Sequence, residues 1–167
     1  KSEHYMNTGS NSVAEKVEDL VSCAPSGFAL AFHINFTTPK LLLQTYPREW
    51  VKYYSENGLV MSDPTVLWGF ENDGTVRWSD LTHLDTANVL DTAKNYDMNF
   101  GLTCACSGGE TRSIGSFARA EREFEESEIA SLQQAMEELH DLTASGEAMT
   151  PETVAALEQL SVHVQSS

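Results

Sequence analysis

The chain has 167 residues, of which 41% are hydrophobic and 21% are charged, a composition typical of one globular domain. Its formal net charge is −15, with only 10 Lys and Arg residues, none of them after Arg122. Because DNA binding depends on clustered cations at the phosphates, this charge excludes a chain-wide DNA contact and also argues against anionic membranes. The first ten residues lack the apolar segment of a signal peptide, so we expect a cytoplasmic protein with no membrane partner.

The N-terminal part of the chain predicts one helix and one strand. Residues 1–10 are polar and are expected to be a frayed end. Ser12 is a candidate N-cap for a helix that ends near Cys23, because apolar residues then recur on one helical face. A strand is predicted over 27–36, where large apolar side chains alternate with small or polar ones. The large ones are Phe28, Leu30, Phe32, Ile34 and Phe36.

The middle of the chain predicts short elements. Residues 37–45 are interpreted as a connection, and Pro47 can open a helix that Gly58 ends. Asp63 directly before Pro64 is the pattern of a helix N-cap. The other predicted elements are a turn at 72–74, a short strand at 75–78 and a helix at 86–97.

The C-terminal part predicts a β-hairpin followed by helices. Two strands, 101–107 and 113–119, are joined by a glycine-containing turn, which implies antiparallel pairing. A long acidic helix is predicted over 125–142, and Thr150 caps a last helix after a linker of small residues. Antiparallel strands between long amphipathic helices favour the α+β class, arranged as an α/β/α sandwich.

Catalytic and metal-site patterns are absent from the sequence. The five histidines have neither metal-like nor triad-like spacing, and three cysteines without a secretory signal indicate free thiols. Cys104 and Cys106 share one face of a predicted strand and are interpreted as small hydrophobic core residues. We therefore expect no enzymatic activity, no metal and no cofactor.

Aromatic residues are concentrated between Tyr46 and Trp78, a segment that holds every Trp of the chain. Trp50 and Tyr54 are one helical turn apart and share a face, and Asp63 lies between them and Trp78 in sequence. Aromatic walls with hydroxyl and indole donors, together with a carboxylate acceptor, suit a small amphipathic ligand. Aromatic residues at helical spacing are usually core residues, and Asp before Pro is usually a helix cap, so composition and spacing stop at a possible ligand pocket.

The order and spacing of these residues resemble a known family. The chain contains Y-P-x-x-W-x-x-x-Y-x8-D-P-x13-W, beginning at Tyr46 and ending at Trp78. This is similar to the core motif of the autoinducer-binding domain of LuxR-type quorum-sensing transcription regulators. Weaker similarity extends the match to about residues 12–142. The resemblance implies a central antiparallel sheet of about five strands that binds an N-acyl homoserine lactone against the helices.

The resemblance also implies individual roles. Trp50 would donate its indole N–H to the lactone carbonyl, Asp63 would accept from the ligand amide N–H, and Tyr46 would donate to the acyl carbonyl. Tyr54 and Trp78 would wall the head group. The remaining residues that the resemblance assigns to the ligand are Thr65 and Thr103 near the head and Phe32, Ile34 and Phe36 along the acyl chain.

Two departures from the family affect the ligand. Family members often carry a hydroxyl on the last strand, near the position where this chain has Ala118, and the connection between Phe36 and Tyr46 is short. Acyl length and 3-position chemistry therefore stay open. The alternative that this is an orphan domain, which binds another small ligand, also stays open.

The resemblance divides the chain into a ligand-sensing domain, 1–142, and a linker with the start of a truncated or missing helix-turn-helix domain, 143–167. Residues 149–160 resemble the first helix of the family's DNA-binding half, and no recognition helix comes after them. DNA binding is thus expected only through a helix-turn-helix domain not present in this chain, and a dimerisation or interaction module is an alternative. The family and the amphipathic helix over 125–142 imply a homodimer, although that helical face could instead be core.

Overall fold

The computed structural model describes residues 8–167, with side chains described from residue 13 onward. Its described residues form a six-stranded sheet in the order β3-β4-β5-β1-β2-β6, in which every neighbouring pair is antiparallel. The strands are β1 (Gly27–Asn35), β2 (Thr38–Gln44), β3 (Gly74–Arg77), β4 (Phe100–Gly108), β5 (Thr111–Arg119) and β6 (His163–Ser166). The α-helices are α1 (Thr8–Cys23), α2 (Arg48–Glu56), α3 (Pro64–Glu71), α4 (Val89–Ala93), α5 (Glu126–Leu142) and α6 (Pro151–Gln159).

Helices cover both faces of the sheet, as the predicted α/β/α sandwich requires. One face packs against α1, α5 and α6, and its core includes Val17, Phe28, Phe117 and Met136. A second, aromatic-rich cluster lies on the other side and includes Trp50. The fold class is therefore confirmed. The sheet has six strands where about five are expected from the sequence, because residues 38–44 and 163–166 also pair.

Local sequence signals explain several of the elements. Asp63 caps α3 by accepting a hydrogen bond from the backbone N–H of Thr65, as predicted. Thr150 caps α6 in the same way, through Thr153. In the β4–β5 hairpin, Gly109 and Glu110 both have positive φ, of 62° and 70°, as the tight primed turn demands.

Other predicted bounds differ from the structure. Residues 1–7 of the predicted frayed end lie outside the described residues, and so does the side chain of Ser12; α1 begins earlier, at Thr8. The helix predicted over 86–97 is reduced to α4 and a 3-10 turn at Lys94–Tyr96. Asn88 has a φ of 56° and breaks the helical backbone before α4, which shortens the element.

Strand β1 contains a bulge that changes which face its side chains occupy. The pairing register between β1 and β5 shifts between Ala31 and Ile34, and His33 has a φ of 56°. Phe32 and His33 are consequently both buried toward α5 rather than on opposite faces. Beyond the bulge, Ile34 lies on the opposite face of the sheet from Phe32.

The C-terminal residues pack onto the same body. Helix α6 lies against α1 and buries Leu157, while β6 pairs with β2 from Gln44 to Leu41. Helix α6 and strand β6, which both lie after residue 142, complete the core and the sheet of this body. The predicted domain boundary after residue 142 stays a prediction. The apolar face of α5, with Leu132 and Leu139, is buried within this core. No helix among residues 8–167 is both long and apolar enough to cross a membrane.

Candidate functional site

A cavity of about 610 Å³ lies between the sheet and the α2–α3 segment, on the face opposite α1 and α5. Most of the predicted site residues converge on it. Those that line it are Ile34, Tyr46, Trp50, Tyr54, Asp63, Thr65 and Trp78. Elements far apart in sequence are brought together here because α3 packs across β4 and β5 while α2 carries the aromatic residues.

Asp63 is a buried carboxylate, only 8% exposed, with most of its hydrogen-bonding capacity filled. Its Oδ1 accepts from the backbone N–H of Thr65 at 2.9 Å and from the Thr65 hydroxyl at 2.7 Å. Its Oδ2 accepts from the Tyr54 hydroxyl at 2.7 Å. A carboxylate offers about four lone-pair positions. Three donors therefore leave Asp63 with capacity for one more donor, on Oδ2.

The electrostatics of Asp63 favour a hydrogen-bond donor at the unfilled acceptor position on Oδ2. Burial raises the pKa of the Asp63 carboxyl, and the hydrogen bonds from Tyr54 and Thr65 partly oppose this. A further N–H donor would stabilise the ionised form that burial disfavours. Burial and the adjacent Asp63 raise the pKa of Tyr46 well above its usual value, so its phenol stays protonated and can donate.

Two cavity donors are unused within the described chain. Its hydrogen bonds employ the hydroxyl of Tyr54 and the indole N–H of Trp78, but neither the indole N–H of Trp50 nor the hydroxyl of Tyr46. Trp50 is 4% exposed and packs between Tyr54 and Tyr96, with ring centroids 5.8 Å and 5.4 Å away. Around Asp63 the cavity thus offers these two donors and one acceptor position to a ligand.

Trp78 is committed to a different role. Its indole N–H donates to the Thr103 hydroxyl at 3.1 Å, and Thr103 lies 2.8 Å from the Ser116 hydroxyl. The Trp78 ring lies directly over Gly101, where a Cβ would overlap it. Trp78 is therefore a fixed wall of the cavity. Thr103 stands behind this wall and orients Trp78 and Ser116 rather than lining the cavity itself.

The strand register explains the shape of the cavity floor. Gln44, Ala29, Ser116 and Thr103 are successive partners across β2, β1, β5 and β4, and form one row of the sheet. A second row runs through Leu42, Ala31 and Ile114. Small side chains at the centre of both rows leave space above β1, because alanine reaches only a short distance from the sheet. That space is the floor on which a ligand would lie.

Two of the residues predicted to contact the ligand, Phe32 and Phe36, do not line this cavity. Phe32 is fully buried in the core beneath α5, on the opposite face of the sheet, and Phe36 is 91% exposed at the β1–β2 turn with a φ of 60°. The prediction assumes uninterrupted alternation from Phe28 to Phe36. Phe32 comes before the positive-φ residue His33 and shares the core face of Phe28 and Leu30. The bulge then breaks the alternation and brings Ile34 onto the cavity face.

Several lining residues are not among the predicted site residues. Ala29 and Ala31 belong to the small face of the predicted strand, where small side chains leave room for another group. Ser116 supplies a cavity hydroxyl on β5, two residues before Ala118, where the resemblance to the family indicates that one is lacking. Strand alternation places these two residues on one face, and that is the signal that could have found Ser116.

Chemistry of other kinds finds no support in the described chain. Its residues contain no group of three or more His, Cys, Asp or Glu side chains placed to hold a metal ion. Cys104 and Cys106 are free and buried, as predicted, and burial raises the pKa of Cys106 to about 12. Such a thiol is not activated as a nucleophile.

Comparison with known proteins gives a consistent result. A family profile described as autoinducer binding domain matches residues 28–143. The transcriptional activator protein EsaR of Pantoea stewartii subsp. stewartii is 25% identical over 67 residues, which are 38% of this chain and 27% of EsaR. Thus the chain spans well under two thirds of that curated relative.

Solved structures share the fold. Escherichia coli SdiA matches with a TM-score of 0.56 and 22% identity, over 89% of this chain and 62% of SdiA. A second SdiA structure, in complex with octanoyl-rac-glycerol, also matches with a TM-score of 0.56 and 22% identity, over 88% of this chain and 59% of that one. CepR2 from Burkholderia cenocepacia, described as an N-acylhomoserine lactone dependent LuxR family transcription factor, matches with a TM-score of 0.53 and 15% identity, over 84% of this chain and 94% of CepR2.

Proposed function

Because this chain belongs to the autoinducer-binding domain family of LuxR-type transcription regulators, we propose that its cavity binds an N-acyl homoserine lactone. The observation that carries the proposal is the one remaining acceptor position on Asp63, in a cavity whose Trp50 and Tyr46 donors are unused. An acyl homoserine lactone presents one amide N–H and two carbonyl groups. Its amide N–H and two carbonyls therefore match the acceptor position of Asp63 and the two donors of Trp50 and Tyr46.

In this assignment each ligand atom has one partner. The amide N–H donates to Oδ2 of Asp63, the lactone carbonyl accepts from the indole N–H of Trp50, and the acyl carbonyl accepts from Tyr46. Thr65 and Tyr54 hold the Asp63 carboxylate in place through hydrogen bonds of 2.7–2.9 Å. A buried group left without its partner would cost about 1–3 kcal/mol, so the match discriminates against ligands that lack any of the three groups.

The assembled regulator is also a matter of proposal. We propose that the domain senses its ligand without catalysis, acts as a homodimer, and reaches DNA through a helix-turn-helix domain in cis or in a partner. The apolar face of α5 does not supply the dimer contact, since Leu132, Met136 and Leu139 are buried in the core.

A second candidate ligand is a neutral acyl glycerol. SdiA, which shares the fold, is known in complex with octanoyl-rac-glycerol. Among the residues that line the cavity, Asp63 alone is charged, and a glycerol hydroxyl could donate to it in place of an amide N–H. An acyl glycerol offers one carbonyl, however, so either Trp50 or Tyr46 would have to donate to a hydroxyl or ester oxygen instead.

The test is the shift in melting temperature with lactones and with matched acyl glycerols of equal chain length. A ligand at about 100 times its dissociation constant stabilises the folded state by about 2.7 kcal/mol. The Trp50→Phe variant removes the indole N–H and retains most of the ring, so it should lose much of the lactone shift. No shift with any lactone, from a folded protein, would reject the lactone proposal, and a shift with glycerols alone would replace it by the second candidate.

A further inference from the structure

Strand β6 brings a side chain to the cavity from a part of the chain that the family profile does not cover. The profile ends at residue 143, whereas β6 is His163–Ser166. Gln165 of this strand lines the cavity, together with Leu42 and Gln44 of the neighbouring strand β2. At this edge of the sheet, the cavity wall therefore includes a segment to which the family match assigns no role in binding.

The register of β6 determines which of its side chains face the cavity. Val164 is paired with Leu43 and packs against the same core. Gln165, the next residue, is paired with Leu42 and lies on the opposite face, which is the cavity side. Gln165 thus extends the second row of the cavity floor by one strand. A ligand that lies along this row would meet the Gln165 side chain at the edge of the sheet.

The chain reaches β6 through a defined turn at the end of α6. Ser161 has a φ of 63°, and its backbone N–H donates to the Glu158 carbonyl at 3.0 Å. The backbone N–H of Val162 donates to the Leu157 carbonyl, also at 3.0 Å. These two hydrogen bonds form a Schellman motif, which a hydrophobic contact across the turn often accompanies. Leu157 and Val162 are both buried in one core cluster, so the start of β6 is anchored to the body of the domain.

Strand β6 itself is held less firmly than this turn. It is an edge strand of four residues, paired only with β2, and three of the four residues are exposed. Beyond it, the backbone N–H and hydroxyl of Ser167 donate to the carbonyls of Lys40 and Pro39, at 3.1 Å and 2.8 Å. A short edge strand with few buried side chains opens at a lower cost in free energy than the core strands. Local opening of β6 therefore does not require the core to unfold.

The side-chain amide of Gln165 is available to a ligand. The hydrogen bonds among the described residues do not employ it, and those around β6 use the neighbouring Ser167 instead. Its NH2 group can donate and its carbonyl can accept, so it can pair with an oxygen or with an N–H of a ligand. Its position depends on the pairing of β6 with β2. The contact between ligand and amide thus exists only while β6 is paired.

We propose that β6 is a ligand-responsive wall of the cavity, because a bound ligand contacts Gln165 and thereby holds β6 against β2. This inference rests on the proposed function, namely that the cavity binds a small amphiphilic ligand, and it extends the binding site to a segment outside the family profile. Binding and pairing are then coupled. The ligand favours the paired state of β6 by the same factor by which pairing raises the affinity for the ligand.

The test is hydrogen–deuterium exchange of the full chain, read by mass spectrometry with and without saturating ligand. The probe is octanoyl homoserine lactone, or octanoyl glycerol if only the glycerol shifts the melting temperature. Strand β3 (Gly74–Arg77) is the internal control, because it is also a four-residue edge strand and none of its residues lines the cavity. We expect the ligand to slow exchange at β6 about two- to tenfold more than at β3, the effect of one ordinary hydrogen bond.

The Gln165→Ala variant separates the ligand contact from the strand. Alanine removes the amide and retains the backbone pairing, and the replaced side chain is exposed, so the melting temperature without ligand should not change. Ligand affinity should fall by about two- to tenfold, and the additional slowing at β6 should disappear. Gln159→Ala is the matched control and should change neither, because Gln159 is an exposed glutamine at the end of α6, outside the cavity lining.

The outcomes separate the two proposals. Equal slowing at β6 and β3 by a ligand that binds, or undiminished affinity in Gln165→Ala, overturns this inference and leaves the proposed function in place. Faster exchange at β6 with ligand overturns it as well, since the ligand would then displace the strand. If neither the lactone nor the glycerol binds, the proposed function fails and this inference fails with it.

Discussion

Replacing Asp63 by Asn should separate ligand binding from folding. Asparagine has nearly the same shape, and its carbonyl oxygen can still accept both hydrogen bonds from Thr65. Its NH2 group replaces Oδ2. This group can only donate hydrogen bonds, so it cannot accept from the Tyr54 hydroxyl or from the amide N–H of the ligand. A hydrogen bond to a charged group contributes about 1.5–3 kcal/mol, so we expect lactone affinity to fall by about ten- to hundredfold.

The unliganded protein should respond quite differently to the same change. Because burial raises the pKa of Asp63 in the folded state, its contribution to stability is fully present below the unfolded pKa and is lost as pH rises through the folded pKa. At pH values above its raised pKa, where Asp63 is ionised, the buried charge therefore opposes folding, and Asp63→Asn removes that cost while weakening one hydrogen bond to Tyr54. We expect a melting temperature without ligand that is equal to or above that of the native chain.

Thermal melts and calorimetry with and without lactone, at several pH values, test both expectations. In the native chain, affinity should be full above the raised pKa of Asp63 and decline as pH falls through it, since the protonated carboxyl loses acceptor capacity. The variant should show no such decline. Asp91→Asn is the matched control, because Asp91 has a side chain 73% exposed and lies outside the cavity lining. Undiminished lactone affinity in Asp63→Asn would refute the assignment of Asp63 as the ligand's acceptor.

Two further predictions concern the frame around the cavity. Gly101→Ala should destabilise the protein by about 1–3 kcal/mol and shift its tryptophan fluorescence, because the new Cβ would overlap Trp78. Gly146→Ala is the control and should be neutral, because the space around its Cβ is open. An unchanged melting temperature for Gly101→Ala would contradict the fixed position of Trp78. Burial and the neighbouring His140 lower the pKa of His33, with Lys40 and Asp141 as the other nearby charges, so stability should fall as pH drops below about 6.5, where the unfolded state gains the proton. Melts between pH 5 and 7.5 should show a shallower loss for His33→Asn than for the native chain, and an equal slope would assign the acid sensitivity to other groups.

The parts of the fold that obey local rules could be predicted from the sequence. The cap at Asp63, the turn at Gly109 and the amphipathic pattern of α5 are each determined by residues within a few positions of one another. The family resemblance of the motif from Tyr46 to Trp78 located part of the cavity lining, since its members lie before and on α2, at the start of α3 and directly after β3. Those predictions needed no knowledge of long-range pairing.

The parts that could not be predicted depend on contacts between distant segments. Strand β2 reads as a connection in the sequence because Leu41, Leu42 and Leu43 do not alternate, yet both faces of this strand are covered, by the core and by the cavity. Strand β6 is polar and short, and only its pairing with β2 makes it a strand. The bulge at His33 is fixed by hydrogen bonds to Ser113, Thr111 and the carbonyl of His140, none of which is local in sequence.

The hydroxyls of Thr103 and Ser116 form a short row behind Trp78, and the donor at one end of this row affects the direction of its hydrogen bonds. An indole nitrogen can only donate, so Thr103 must accept from Trp78. When each hydroxyl of the row accepts one hydrogen bond and gives one, the proton of Thr103 goes to Ser116, and the proton of Ser116 points onward into the cavity. The sheet side of the cavity then presents a positive end to its contents, while Asp63 presents a negative one from the helix side. With the hydroxyls in that order, a ligand oxygen, rather than an amine, would fit above Ser116.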